Sequence, residues 1–412
     1  MRTHFLFLAT LAAATALAGS PSARAGDRPE GAAKGLTSGI DKSNFDESVR
    51  PQDDLFRYAS GAWLKTAEIP AERSLYGAFI ELADKAEADL RKIIEDAAAD
   101  DAPEGSETRK VGDLYASFMD EGEIEKQGLD PIRDELKDVA GIKDRAGFIR
   151  DLATLQKRGS ASLFGFYVDT DEKKSDEYII HLAQGGLGLP DESYYRDKKF
   201  QDIREAYVKH VAKMFKLAGF DDPDARAEAV MALETRLAKN HWDRVKSRDA
   251  SLTYNKMSRD ELAKLAPQFD WSLYFDTLGV RGKGTENVVV SQPSYFTAMA
   301  EALDDVPLET WKTWLEWNVL RENAPLLSSA FVDENFDFYG KTLTGAKELR
   351  PRWKRAVSAV QSALGFALGK IYVEKHFPPE AKKRMKALVD NLIEAYRQDI
   401  QQLDWMSDRT KE

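Results

Sequence analysis

Apolar residues recur at helical spacing over long stretches of this chain. Phe79, Leu82, Ala86, Leu90, Ile93, Ile94 and Ala97 fall on one face of a helix, with acidic and basic residues on the other. The pattern returns with Trp353, Val357, Val360, Leu364, Leu368 and Ile371, and again with Met385, Leu388, Val389, Leu392, Ile393, Tyr396, Ile400 and Leu403. The last run follows "FPPE", where Pro379 suits a first helical position because its missing N–H would have no partner there. In "PLETWKTWLEWNVL", Trp311, Trp314 and Leu315 make one stripe, which reads as core packing rather than a ligand groove.

One stretch departs from this period. "SLFGFYVDTDEKKSDEYIIHLAQ" holds two β-branched and aromatic runs, Leu163 to Val168 and Tyr178 to Ala183, around a charged turn, and predicts a β-hairpin. "NVVVSQP" is a second short strand, ended by Pro293. The fold class expected is therefore mainly α: a large multi-helix domain with a small inserted β-hairpin.

The first 25 residues are of another kind. Arg2 precedes the apolar "FLFLATLAAATALAG", and Ala23 and Ala25 occupy the small-residue positions before a cut preceding Gly26. This reads as a signal peptide rather than an anchor, since its apolar run falls short of the roughly 20 residues a bilayer demands. No later segment stands out as a span, so no membrane anchor is expected after cleavage. Residues 26–38, "GDRPEGAAKGLTS", read as a flexible linker, and 39–412 as the folded domain. The expected location is periplasmic or secreted.

With 70 acidic against 59 basic residues and a formal net charge of −11, polyanions are poor partners, and no nucleic acid is expected. The absence of cysteine excludes disulfides, thiolate metal sites and a cysteine nucleophile. None of the five histidines has a second at i+4, so no H-E-x-x-H zinc motif is present. "DTDEKKSDE" places Lys173 where a calcium loop needs oxygen, and so reads as a solvated turn. "YGKTLTG" lacks the upstream glycine of a phosphate loop, and Pro190 follows "QGGLGL" where a dinucleotide-binding helix would begin, so both read as turns. The basic cluster "RPRWKR", Arg350 to Arg355, has Pro351 at a helix start and reads as a solvated face. No nucleophile-elbow motif of a serine hydrolase is present.

Several stretches together resemble the amino-terminal region of the neprilysin and endothelin-converting-enzyme family of zinc metallopeptidases. They are "SVRPQDDLFRYASGAWLKTAEIPAERSLYGAFIELADKAEADL", "GLGLPDESYY", "FVDENFDFYGKTLTGAKELRPRWKRAVSAV" and "GKIYVEKHFPPEAKKRMKALVDNLIEAYRQDIQQLDWMSDRTK". The resemblance implies a helical lobe that encloses a cavity with a thermolysin-like catalytic lobe and admits peptides. It implies zinc in the full-length enzyme, held by the two histidines of an H-E-x-x-H motif, absent from this sequence, and by the glutamate of an E-x-x-x-D helix that follows that motif. No catalytic or metal residue can therefore be assigned here, no zinc is expected to bind this chain, and its expected partners are peptide substrates and the missing catalytic domain. Leu75 stands where some members carry an arginine that grips a substrate's terminal carboxylate, which favours endopeptidase action. Ser407 caps a helix that the sequence leaves at one turn, so the expectation is a fragment inactive alone. The alternative is a stand-alone exported peptide-binding module without catalysis.

Overall fold

The computed structural model of the chain describes residues 40–282 and 284–412. By compactness these fall into two units, one ending at Pro70 and one running from Ala71 to Glu412. In the first, Asp54 starts helix α1 (Leu55–Thr66) by accepting from the Arg57 N–H at 2.9 Å. Asp46 pairs with Lys65 at 2.7 Å, and that bond together with one from Ser48 holds its carboxyl at about 2.

The second unit carries, in order, α2 (Ala78–Ala99), α3 (Glu107–Met119), α4 (Arg145–Arg158), β1 (Phe164–Asp171), β2 (Lys174–Gln184), α5 (Gln201–Leu217) and α6 (Pro223–Ala238). There follow β3 (Lys256–Ser258), α7 (Trp271–Leu278), β4 (Asn287–Val290), α8 (Pro293–Asp305), α9 (Leu308–Asn323) and α10 (Ser329–Asn335). The chain then runs through a π-helical segment, Phe336–Thr342, into α11 (Arg352–His376), α12 (Pro379–Gln402) and α13 (Asp408–Lys411). Side chains start several of these helices by accepting first-turn N–H groups: Ser106 for α3, Asp144 for α4, Asp270 for α7 and Ser407 for α13. The cap read at Ser407 and the helix start at Pro379 are both present.

The predicted hairpin is β1 and β2, antiparallel from Phe164↔Gln184 to Thr170↔Tyr178. The predicted "NVVV" strand is β4, which lies parallel to β2 with Val289 opposite His181, and β3 closes the sheet in the order β1-β2-β4-β3. The charged turn read as solvated is instead tied down at one residue. Asp171 is buried, accepting from Tyr254 at 2.7 Å, Lys256 Nζ at 2.6 Å and the Lys173 N–H at 2.9 Å, so it fastens the hairpin to β3. A lysine fills the position that a cation would need.

Two cores lie within this unit. The larger gathers Phe164, Phe269, Trp271, Tyr274 and Phe296 beneath the sheet and the tryptophans of α9, with Trp311, Trp314 and Trp317 almost wholly buried. The stripe read as core is core. The smaller joins α2, α3 and α11 through Ile93, Ile94, Ala97, Val111, Tyr115, Val357, Val360 and Leu368. The apolar face predicted for α2 is buried only in its second half, because Phe79 and Leu82 in its first turns are 88% and 64% exposed.

One expectation is corrected in α11. By length and composition this 25-residue helix is apolar enough to cross a membrane, contrary to the reading that no later segment qualifies. Its run from Ala356 to Gly369 carries no charged residue, yet Ala, Gly and Ser rather than large apolar side chains fill much of it. Ala356, Val357, Val360 and Leu368 are nonetheless buried against α2 and α3. The helix is also kinked at Leu364, next to Gly365, which leaves Phe366 fully exposed.

Candidate functional site

Two of the sequence stretches singled out above meet in a buried polar network. Glu234, on α6, accepts from the Tyr195 hydroxyl at 2.7 Å and from Tyr207, on α5, at 3.1 Å. The Tyr195 oxygen in turn accepts the N–H groups of Gly188 and Leu189, while Trp317 donates to Tyr207 at 2.9 Å. Tyr339, in the π-helical segment, donates to the Gly188 carbonyl at 3.2 Å, and Arg321 reaches the Leu187 carbonyl. Gly188 is required by close approach: a Cβ there would lie 1.9 Å from the Tyr207 oxygen. Burial pushes the Glu234 carboxyl up, opposed by nearby Arg321 and the two tyrosines. Burial and the Glu234 charge raise the Tyr195 and Tyr207 hydroxyls well above their ordinary range. These groups are saturated by one another, so the network positions the "GLGLPDESYY" turn and the "NFDFYGK" segment rather than meeting a substrate.

The π-helical segment also corrects the reading of Gly340, Lys341 and Thr342 as a turn: they complete the wide helix Phe336–Thr342. Beside it, an open depression of about 400 Å³ is lined by Asp333, Phe336, Asp337, Lys341, Lys347, Glu348 and Leu349.

The most exposed apolar surface near these motifs is the start of α2. Leu75 (61% exposed), Phe79 and Leu82 form a rim about Gly77, and no side chain caps the helix there. The loop bearing this rim is rigidly seated. The Ala71 carbonyl accepts the N–H groups of Lys347 and Glu348 at 2.8 and 3.1 Å, Glu72 pairs with Lys354, Arg73 with Asp84, and Arg350 with Glu87 at 2.5 Å. Arg352 donates to the Phe118 carbonyl at 3.0 and 2.6 Å. The basic cluster read as a solvated face is therefore spent inside the protein, seating this loop and α3.

The described histidines lie apart. His210 bonds to Glu334 at 2.9 Å and stacks on Phe338, while His241 bonds to the Gly185 carbonyl at 2.9 Å. His181 stacks on Tyr167, and His376 on Tyr372. Burial lowers His210, and it lowers His241 to about 4, so both rings stay neutral near pH 7. Among the described residues no group of three or more His, Asp or Glu is set to hold a metal ion. The signal-peptide positions Ala23, Ala25 and Gly26 lie outside the described residues. Sequence reading missed the Glu234 network and the exposure of Phe79, because spacing tells which face a residue occupies but not whether anything covers it.

The described residues thus form a mainly helical body with a small mixed sheet and an apolar rim at a seated helix start. The chain belongs to peptidase family M13, whose family model matches residues 51–412. It is 28% identical to endothelin-converting enzyme 1 of Mus musculus and of Homo sapiens, over 389 residues in each case, covering 91% of this chain and 50% of theirs. Among solved structures it is similar to the zinc metalloprotease Zmp1 of Mycobacterium tuberculosis in complex with an inhibitor, at 46% identity and a TM-score of 0.84, covering 91% of this chain and 57% of that one. PepO from Lactobacillus rhamnosis shares the fold, at 22% identity and a TM-score of 0.75 over 88% of this chain and 57% of its own. The chain thus spans about half the length of the curated relatives it matches.

Proposed function

We propose that this chain is the amino-terminal, cavity-forming part of an exported zinc metalloendopeptidase that hydrolyses peptides. The observation that carries the reading is the family match across residues 51–412, in a chain covering half of relatives that are endothelin-converting enzymes. Zinc would supply the water-activating chemistry of such an enzyme. The described residues do not fit a zinc site, since their histidines are dispersed among separate structural contacts. No catalytic step is assigned to them.

What this chain contributes is enclosure and positioning. The rim of Leu75, Phe79 and Leu82 offers apolar surface to substrate side chains, and the uncapped start of α2 favours acceptor groups of a peptide backbone. Leu75 brings no positive charge to a substrate terminus, so internal bonds of longer peptides are the expected targets. Export, with cleavage between Ala25 and Gly26 and release to the periplasm or exterior, is part of the same reading.

The test pairs two measurements: the intact mass of the native protein in the exported fraction of its host, and hydrolysis of a quenched fluorescent peptide with zinc. The expected result is a mass well above the 46.3 kDa of this chain, zinc-dependent activity in the native protein, and none in the purified 412-residue chain. Zinc-dependent turnover by the 412-residue chain would refute the division of labour. A native mass matching residues 26–412, with peptide bound but not cut, would favour the stand-alone binding module.

A further inference from the structure

Zmp1 of Mycobacterium tuberculosis matches this chain at a TM-score of 0.84 in its inhibitor complex, 0.75 in its open state and 0.72 in its partial open state. Identity stays at 46%, 46% and 45%, and the matches cover 91%, 88% and 88% of this chain. One protein compared over nearly the same residues thus differs in conformation inside the region that this chain matches.

The two cores show where this chain can turn. They share no residue, and among the described residues the backbone from Ala71 onward crosses from one to the other twice. At the first crossing, Phe118 and Met119 pack on the smaller core and Leu129 and Ile132 belong with the larger. Between them the short helix Glu121–Gln127 buries nothing and ends at Gly128, whose φ of 52° and ψ of −112° suit glycine. The Glu125 carboxylate accepts the Ser329 N–H at 2.5 Å, which ties this helix to α10. At the second crossing, hydrogen bonding changes sides across a single peptide bond. The Ala346 N–H donates to the Gly340 carbonyl of the π-helical segment at 3.1 Å, while the Lys347 N–H donates to the Ala71 carbonyl at 2.8 Å, on the loop that Glu72 and Lys354 fasten to α11. Gly345, just before this change, holds a φ of +81°.

The depression of about 400 Å³ lies astride the second crossing. Asp333, Phe336, Asp337 and Lys341 line it from the side of the larger core, and Lys347, Glu348 and Leu349 from the side of the smaller. Lys341 is paired with Asp337 at 2.5 Å, whereas Asp333 and Lys347 make no ion pair among the described residues although they line the same depression. We propose that the two cores turn against each other about Asp120–Gly128 and Gly345–Ala346, and that Asp333 and Lys347 pair across the depression to hold its narrow state. Two short crossings without a shared core let each body turn without repacking its interior. Opposite charges fixed on different bodies attract little while the depression is wide and more as it narrows. The proposal goes beyond the peptidase reading and does not depend on it.

Spin labels test this, and the absence of native cysteine lets engineered pairs be labelled cleanly. Lys92→Cys with Glu309→Cys sets one label on α2 and one on α9, at side chains each 79% exposed. Asp276→Cys with Glu309→Cys sets both on the body of the larger core. Pulsed electron double resonance of the full 412-residue chain should give two distance populations for the first pair and one for the second. Lys347→Glu should change the ratio of the first pair's populations by at least about threefold, the scale of an exposed ion pair, and adding Asp333→Lys should return it to the parent's value. The second pair should keep its distance in every variant, which shows that the variants fold. A single distance for the first pair, or populations indifferent to Lys347→Glu, would overturn the proposal. So would a shift that Asp333→Lys fails to reverse while the second pair stays unchanged.

Discussion

Replacing His241 by glutamine gives the most direct check on how the Gly185 turn is held. The ring is largely buried, edge-on to Tyr295 at 4.8 Å, and its Nε2–H donates to the Gly185 carbonyl at 2.9 Å. Burial is the larger influence and lowers the imidazole to about 4, against an ordinary value of about 6.5, while the Gly185 bond opposes it. Above pH 6.5 neither the folded nor the unfolded chain protonates this residue, so it leaves stability independent of pH. Between 6.5 and 4 the unfolded chain takes up a proton that the folded chain refuses, and stability falls with falling pH. The full loss is about 3 kcal/mol below pH 4, of which about 2 kcal/mol accrues between pH 7 and pH 5. His210 is lowered in the same direction by its own burial and steepens the parent's profile further, so the comparison of variant with parent isolates His241. Urea denaturation followed by the fluorescence of the eight tryptophans measures this. His241→Gln should lose about 1 kcal/mol at pH 7 through a poorer hydrogen bond, and about 2 kcal/mol less than the parent on going to pH 5. Equal acid losses in parent and variant would refute the assignment.

Other positions give further checks. Gly188→Ala forces a methyl group against the Tyr207 hydroxyl and should cost about 2 kcal/mol by thermal or urea denaturation, with loss of near-ultraviolet tyrosine dichroism. Glu234→Ala strands two buried hydroxyl groups and opens a cavity, a loss of about 3 kcal/mol, whereas Glu234→Gln keeps an acceptor and should cost about 1 kcal/mol. Leu75→Arg lies on an exposed rim and should leave the melting temperature unchanged. In the assembled peptidase it should raise kcat/KM for peptides with a free terminal carboxylate over their amides about tenfold, measured with paired substrates.

Much of the architecture follows from local physics and is legible in the chain. The 3.6-residue period of α2, α11 and α12 specifies helices whatever surrounds them, Pro379 and Ser407 mark starts through their own backbone and side-chain chemistry, and the alternation around Thr170 specifies the hairpin. One of the four family stretches holds a contact that admits few substitutes, that of Gly188 beneath Tyr207.

What the tertiary structure decided is which faces are covered and which charges are spent. The stripes of α9 and α12 look alike as sequence, yet Trp311, Trp314 and Leu315 are sealed in the core while Met385, Leu388 and Leu392 stand open. "RPRWKR" looks like a solvated basic face until Glu72, Glu87 and the Phe118 carbonyl are brought to it from more than 200 residues away in the chain. Glu234 carries no local mark at all, because its role is made by Tyr195, Tyr207 and Arg321, drawn from three other segments. Periodicity and capping act over a few residues and are written in the sequence, whereas burial and pairing depend on non-local neighbours that exist only once the chain has folded.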